Sequence, residues 1–102
     1  MELTNELTGK EKRYLRGLGN RLKPVVFIGQ NGVNETVLQA IDEAFSTQEL
    51  IKIKLQEGFP GERRETGRDL AEKTQTQLVQ VLGKTILLYR EHPEEPRLLD
   101  SK

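Results

Sequence analysis

The chain has 102 residues, which is enough for one small domain with a single hydrophobic core. It has no cysteine, and this excludes disulfides, thiolate catalysis and cysteine-ligated zinc or iron–sulfur centres. Sixteen basic and sixteen acidic residues give a net charge of zero, which by itself argues against a nucleic-acid-binding protein, whose usual signature is a basic patch.

The apolar segments and the N-terminal sequence predict a protein without a membrane partner. No apolar run approaches the roughly 20 residues that a bilayer-spanning helix needs. The first six residues lack the basic-then-apolar order of a signal peptide. We therefore expect a soluble, cytoplasmic protein.

A first helix is predicted over about residues 8–20. Thr8 and Glu11 have the spacing of a capping box, and leucines recur downstream at helical spacing. Basic groups are concentrated here, because residues 1–23 carry six bases and three acids. Lys12 and Arg16 are four residues apart, so they share a helix face, with Arg13 beside them. This basic strip is either a binding surface or ordinary solvated charge.

A short strand follows, from Val25 to Ile28, after Pro24. Because its apolar run is uninterrupted, we expect this strand to be buried on both faces. The strand leads into the G-x-x-G loop Gly29-Gln30-Asn31-Gly32, and a second helix is predicted over about 34–46 with Asn34 as its N-cap.

Such a loop has a phosphate-binding interpretation and a plain one. Two glycines let the backbone approach a ligand closely, and the following helix start offers N–H groups and the positive end of its dipole. A plain turn explains two isolated glycines more simply. The neighbouring strand, helix start and upstream Lys23 favour the phosphate interpretation.

The second half predicts a strand, a third helix and a hairpin. Residues 50–55 alternate, with Lys52 and Lys54 on the face opposite the isoleucines. A polar helix is predicted over about 61–75. Strands over 78–82 and 85–89 are joined by Gly83-Lys84, which suits a type II′ turn. The charged segment 91–102 contains two prolines and is predicted to be a flexible tail.

The element order is therefore αβαβαββ, which predicts one small α/β domain. Helices between the first three strands imply parallel crossovers, and the final hairpin is antiparallel. A mixed four-stranded sheet with packed helices follows.

Catalytic groups are not evident in the sequence. His92 is the single histidine and lies in the predicted tail, where we expect nothing to hold it. Tyr14, Phe27 and Phe45 fall on core-facing registers, so we do not expect an exposed aromatic platform for bases. The sequence predicts a protein that is not an enzyme and has no cofactor or metal.

Several segments together form a pattern more specific than any single motif. They run from Leu7 to Arg16, Leu22 to Val26, Ile28 to Asn34, Glu49 to Lys54 and Val79 to Arg90. In this order they resemble the CRM domain family in its stand-alone bacterial form, the YhbY-like proteins. The resemblance implies an RNA-binding domain over residues 1–90, similar in fold to the C-terminal domain of translation initiation factor three. Family members associate with precursors of the large ribosomal subunit, and plastid relatives act in group II intron splicing.

The resemblance also implies an RNA-binding surface. Its G-x-x-G loop and its basic first helix match residues of this chain, and the charge distribution adds three further lysines. The candidate contacts are Lys10, Lys12, Arg13, Arg16, Lys23, Gly29, Gln30, Asn31, Gly32, Lys52 and Lys54. Relatives often have a basic residue within the loop, whereas this loop is neutral, so electrostatic attraction must come from the surrounding cations.

Two functions are compatible with these features. The resemblance implies a large-subunit assembly factor that binds ribosomal RNA. We expect no small-molecule substrate, and we expect specificity to depend mostly on RNA shape, because base-reading aromatic residues are lacking. The alternative is a protein-interaction adaptor, whose basic strip meets an acidic partner and whose loop is only a turn.

Overall fold

A computed structural model describes residues 6–99 of the chain. Its elements follow the predicted order, and every predicted helix and strand is confirmed with ends within two residues of the prediction. They are α1 Gly9–Gly19, β1 Val26–Ile28, α2 Glu35–Phe45, β2 Leu50–Leu55, α3 Arg63–Thr74, β3 Gln77–Leu82 and β4 Thr85–Tyr89. None of the helices within the described range has the length and apolar character to cross a membrane.

The four strands form one mixed sheet in the order β1-β2-β4-β3. β1 is parallel to β2, whereas β4 is antiparallel to both β2 and β3. Gly83 begins the hairpin turn with φ 58°, and Lys84 after it has a negative φ, as a type II′ turn requires. The predicted fold class is therefore confirmed.

The sheet has a core on each face. Under α2 and α3 lies the larger core, which includes Ile51, Ile53 and Leu88. Under α1 lies a second core, which includes Leu15 and Leu87. Alternate residues of each strand point to opposite faces, so one strand serves both cores.

Small residues let α3 lie close to the sheet. Gly67 is buried, and a Cβ added there would lie 3.1 Å from Leu78 Cδ1 and 3.1 Å from Val81 Cγ2. A helical glycine costs about 1 kcal/mol relative to alanine. The close packing of α3 on β3, which Gly67 permits, offsets that cost.

The segment after β4 is attached to the domain through Glu49, which is 7% exposed. The Glu49 carboxylate accepts hydrogen bonds from the backbone N–H groups of His92, Arg97 and Leu98 at 2.7, 2.9 and 2.8 Å. Leu98 and Leu99 also pack against the second core.

The sequence predicts a flexible tail over residues 91–102, whereas the structure holds the backbone of His92, Arg97 and Leu98 by these hydrogen bonds. The expectation that nothing holds His92 is wrong, because its Nδ1 also accepts hydrogen bonds from the N–H groups of Glu94 and Glu95 at 3.1 and 3.0 Å. Charge and proline content could not reveal a buried acceptor more than 40 residues away. The start of the predicted domain, residues 1–5, and the end of the predicted tail, residues 100–102, lie outside the described range.

We predict that Glu49→Ala lowers the free energy of unfolding by about 2–3 kcal/mol, because three N–H groups lose a charged acceptor. Burial alone would raise the pKa of Glu49, but the N–H donors of His92, Leu98 and Arg97 outweigh it and hold that pKa below its ordinary value of 4.5. A folded pKa below the unfolded one gives stability that is present above the unfolded pKa and is lost as pH falls through the folded pKa. Urea unfolding measures the loss of stability and its dependence on pH, and hydrogen exchange at the Leu98 amide measures whether the segment is released.

Glu43→Ala is the matched control, because Glu43 is an exposed carboxylate on α2. It should change the free energy of unfolding by no more than about 0.5 kcal/mol. A Glu49→Ala protein that unfolds like the parent and still protects the Leu98 amide would show that Glu49 does not anchor the segment.

Candidate nucleic-acid interface

The G-x-x-G loop is a tight turn at the end of the edge strand β1. The Gly32 N–H donates to the Gly29 carbonyl at 3.0 Å, which closes the turn. Gly32 has φ 72°, in the left-handed region that favours glycine. Gln30 and Asn31 are exposed at the tip. The loop therefore presents two neutral polar side chains and a short stretch of backbone to solvent.

A second loop, residues 56–61, supports the turn from one side. Cβ atoms added at Gly29 and Gly32 would lie 3.2 Å from Gln56 Oε1 and 3.8 Å from Pro60 Cγ. Both glycines are half-buried rather than enclosed. The protein's own side chains thus back the turn and leave its tip accessible.

α2 begins directly after the loop. Its N-cap, Asn34, accepts the Val37 N–H through Oδ1 at 3.0 Å. This cap was predicted from the sequence, and it satisfies one of the first N–H groups of the helix itself. A ligand at the loop would therefore rely on the loop backbone and the remaining N–H groups of the first turn.

Lys52 and Lys54 lie on the same sheet face as α1, since they alternate with the isoleucines of the larger core. The strand register places Lys54 level with Phe27 of β1 and Thr85 of β4, and Lys52 level with Leu87. Because β1 ends one residue after Phe27, Lys54 lies close to the start of the loop.

Contacts on two sides of α1 show how the helix is rotated about its axis relative to the sheet. Gly19 faces the sheet so closely that an added Cβ would lie 2.5 Å from Leu87 Cδ2. Leu18, on the other flank, lines a cleft of about 600 Å³ with Glu49 and the segment that follows β4. The Gly19 side of the helix therefore faces the lysine-bearing part of the sheet.

Two cations of α1 share the side that Gly19 occupies. At 100° per residue, Lys12 lies about 20° and Arg16 about 60° from Gly19 around the helix axis. Leu87, which Gly19 covers, is the cross-strand neighbour of Lys52, so this side of α1 faces the side of the sheet that carries Lys52. We call Lys12, Arg16, Lys52 and Lys54 the basic face.

The other predicted cations lie outside this group. By the same spacing, Lys10 lies on the side of α1 opposite to Gly19, and Arg13 lies about 120° from Gly19. Both are exposed, as is Lys23 before β1. Four of the seven predicted cations therefore share the face of the sheet that α1 covers, and Lys10 lies away from them.

The basic face has no acidic partner among the described residues. The ion pairs that the structure shows within residues 6–99 join Arg90 to Asp42 at 2.7 Å and Arg97 to Glu95 at 3.5 Å. Neither pair lies on the basic face. Its charges are thus available to an anionic ligand. No group of three or more potential metal ligands occurs within that same range.

Two aromatic side chains that we expected in the core are exposed. Phe27 is 52% exposed and Tyr14 is 50% exposed, whereas Phe45 is buried as expected. The burial pattern of β1 is buried-exposed-buried, so the expectation of a strand buried on both faces is wrong. An apolar run indicates two-sided burial only where both faces are covered, and α1 packs on β2 and β3 instead.

Comparisons with known proteins match most of the chain. A family model described as the CRS1 / YhbY (CRM) domain matches residues 7–90. The chain is 36% identical over 92 residues to "Probable RNA-binding protein YqeI" of Bacillus subtilis (strain 168), covering 90% of this chain and 96% of that protein. It is 38% identical over 100 residues to a protein of Haemophilus influenzae named "RNA-binding protein", with 94% and 97% covered.

A solved structure has the same fold. The solution structure of the hypothetical protein SAV1595 from Staphylococcus aureus matches with a TM-score of 0.75 and 39% sequence identity. The match covers 90% of this chain and 98% of that one.

The backbone conformations of Gly32 in the loop and Gly17 in α1 predict opposite effects of substitution by alanine. Gly32→Ala should lower the free energy of unfolding by about 1–2 kcal/mol, because alanine is strained at φ 72°. Gly17→Ala should raise it by about 0.5–1 kcal/mol, since Gly17 is helical and an added Cβ meets nothing within 4 Å. Urea unfolding measures both, and equal effects of the two changes would contradict the left-handed turn.

Proposed function

Because the chain belongs to the CRS1 / YhbY (CRM) domain family, we propose that it binds RNA through the G-x-x-G loop and the basic face. The observation that carries this proposal is a sheet face with four cations, none of them in an ion pair within residues 6–99, that continues through Lys54 to an accessible glycine turn. Relatives whose names describe RNA-binding proteins support RNA as the partner.

Zero net charge does not conflict with this role, because the charge is unevenly distributed. α1 carries four bases and one acid, whereas α2, on the opposite face of the sheet, carries three acids and no base. Attraction of a polyanion depends on the local potential at the surface and not on the total charge. The neutral average of the sequence therefore hides a basic side.

The two parts of the surface have different tasks in this proposal. The loop holds the backbone of the RNA by hydrogen bonds, in the way that G-x-x-G loops clamp nucleotides in other RNA-binding domains. The basic face neutralises phosphates and releases their counterions, which supplies affinity without reading sequence. Lys23, next to β1, and Arg13 extend the same potential, and Lys10 contributes least.

We further propose that the RNA is ribosomal RNA of the large-subunit precursor and that the protein is a non-catalytic assembly factor in the cytoplasm. The family resemblance supports this assignment. Crosslinking in cells followed by sequencing of the adducts tests it, and we expect enrichment of precursor large-subunit RNA. Adducts spread over messenger RNAs would contradict it, and an absence of adducts together with an acidic protein partner would favour the adaptor.

We predict that Gly32→Asp weakens binding to structured ribosomal RNA about tenfold, because it puts an anion next to the bound phosphate. Gly32→Asn is the matched control, since asparagine has the same size, tolerates a positive φ and is neutral. A gel-shift titration at physiological salt measures both affinities. If the two variants bind RNA equally well, the loop does not contact phosphate.

Salt dependence tests the basic face. Replacing Lys12 and Arg16 by alanine should reduce the slope of log affinity against log salt by about 1–2 units if both contact phosphate. The charge-matched control replaces Arg68 and Lys73, which are exposed on α3 across the sheet, and should leave the slope unchanged. Equal slopes for the parent and the Lys12/Arg16 variant would remove α1 from the interface.

A further inference from the structure

A row of side chains crosses the sheet on the face that α1 covers only in part. The strand register places Phe27, Lys54, Thr85 and Leu82 side by side on β1, β2, β4 and β3. At the two edges, Phe27 is 52% and Leu82 is 60% exposed. Lys54 between them is exposed as well. The row therefore presents apolar surface and a positive charge to solvent.

The neighbouring row marks where the cover of α1 begins. Val25, whose N–H donates to the Lys52 carbonyl at 2.9 Å, is 44% exposed, whereas Leu87 on the same row is buried against Gly19. Exposure thus rises from the helix toward the G-x-x-G loop. Phe27 is two residues from the first glycine of that loop, so the open part of the face and the loop are continuous.

The chemistry of this open part fits a nucleotide. An exposed aromatic ring offers a face on which a base can stack, and this interaction accepts any base. Adjacent β-strands are about 4.8 Å apart, so Phe27 and Lys54 are neighbours. The Lys54 ammonium is therefore within reach of a phosphate of the RNA strand whose base lies on the ring. β1 is an edge strand, and a nucleotide can therefore reach the ring from solvent without displacing another strand.

We infer that Phe27 stacks an unpaired RNA base while Lys54 and the G-x-x-G loop hold the adjoining phosphates. This inference rests on the proposed RNA binding and specifies its ligand: an RNA with a single-stranded segment beside its folded part. It differs from the expectation that specificity depends mostly on RNA shape. The one ring provides for one base and not for the two or three that larger aromatic platforms stack.

A single tryptophan reports this contact directly. The chain has no tryptophan, so Phe27→Trp introduces one fluorophore at the proposed stacking position. Adding a hairpin RNA with a five-nucleotide overhang should quench its emission. Tyr14→Trp is the control, because Tyr14 is equally exposed at 50% but lies on the side of α1 away from Gly19. Equal quenching of the two variants would contradict a specific stack at Phe27.

Affinity measurements separate this inference from the proposed function. Phe27→Ala should weaken binding of the overhang RNA about 5- to 100-fold and leave binding of a blunt duplex of the same stem unchanged. Phe27→Leu keeps apolar bulk without a ring and should behave like alanine, whereas Phe27→Tyr should bind like the parent. Circular dichroism confirms that each variant is folded.

Each outcome decides one proposal. A parent protein that binds neither RNA contradicts the proposed function itself. A parent that binds both RNAs, with Phe27→Ala unchanged, contradicts only the stacking inference. A second copy of the chain could also cover this exposed sheet face, and analytical sedimentation tests whether the protein forms such a dimer. A parent dimer that Phe27→Ala converts to a monomer would overturn the inference.

Discussion

The alternation of β2 between two faces of the sheet is the constraint on which the rest of the structure depends. β2 pairs with both β1 and β4, so its register fixes the position of every other strand except β3. Its isoleucines lie in the core under α2 and α3, which leaves Lys52 and Lys54 on the other side. A slip of one residue would bury both lysines under those helices, at a cost of several kcal/mol. The hydrophobic core therefore also positions the charges beside the loop.

The partial cover of the opposite face follows from the size of one helix. A helix with its side chains is about 10 Å wide, whereas a six-residue strand is about 20 Å long. α1 alone therefore covers about half of the face, and Gly19 brings it down onto Leu87. The segment held by Glu49 extends this cover on the side away from the loop. The part of this sheet face next to the G-x-x-G loop stays exposed. It is accessible because α1 and the segment after β4 are too short to cover the whole face.

The sequence predicted those features that are local. Helix and strand periodicities gave the order of the elements, and the capping box of Thr8 and Glu11 forms both of its hydrogen bonds. The exposure of Phe27 and the anchoring of residues 92–98 could not be predicted in this way. An apolar strand in the sequence has the same pattern whether its second face is covered or open. The partner of a buried Glu49 is equally invisible, because its donors are backbone N–H groups, which every residue but proline has. The members of the basic face come from the sequence, and helical spacing alone places Lys10 away from Lys12 and Arg16. Only the fold shows that Lys52 and Lys54 lie on the sheet face that α1 covers.

Charge and stacking have different tasks in the proposed complex, and a stacking contact would let a neutral protein prefer certain RNAs. Phosphate contacts from Lys12, Arg16, Lys52 and Lys54 weaken as salt rises and are the same for every sequence. Contact of a base with Phe27 depends on that base being unpaired, because a paired base is held within its own stack. With four cations on the basic face and a net charge of zero, nonspecific attraction in this proposal stays modest, and a single stacking contact then becomes a larger share of the total binding energy. In the proposed complex, discrimination between folded RNAs with and without an exposed single strand would therefore depend on the stacking contact more than on charge.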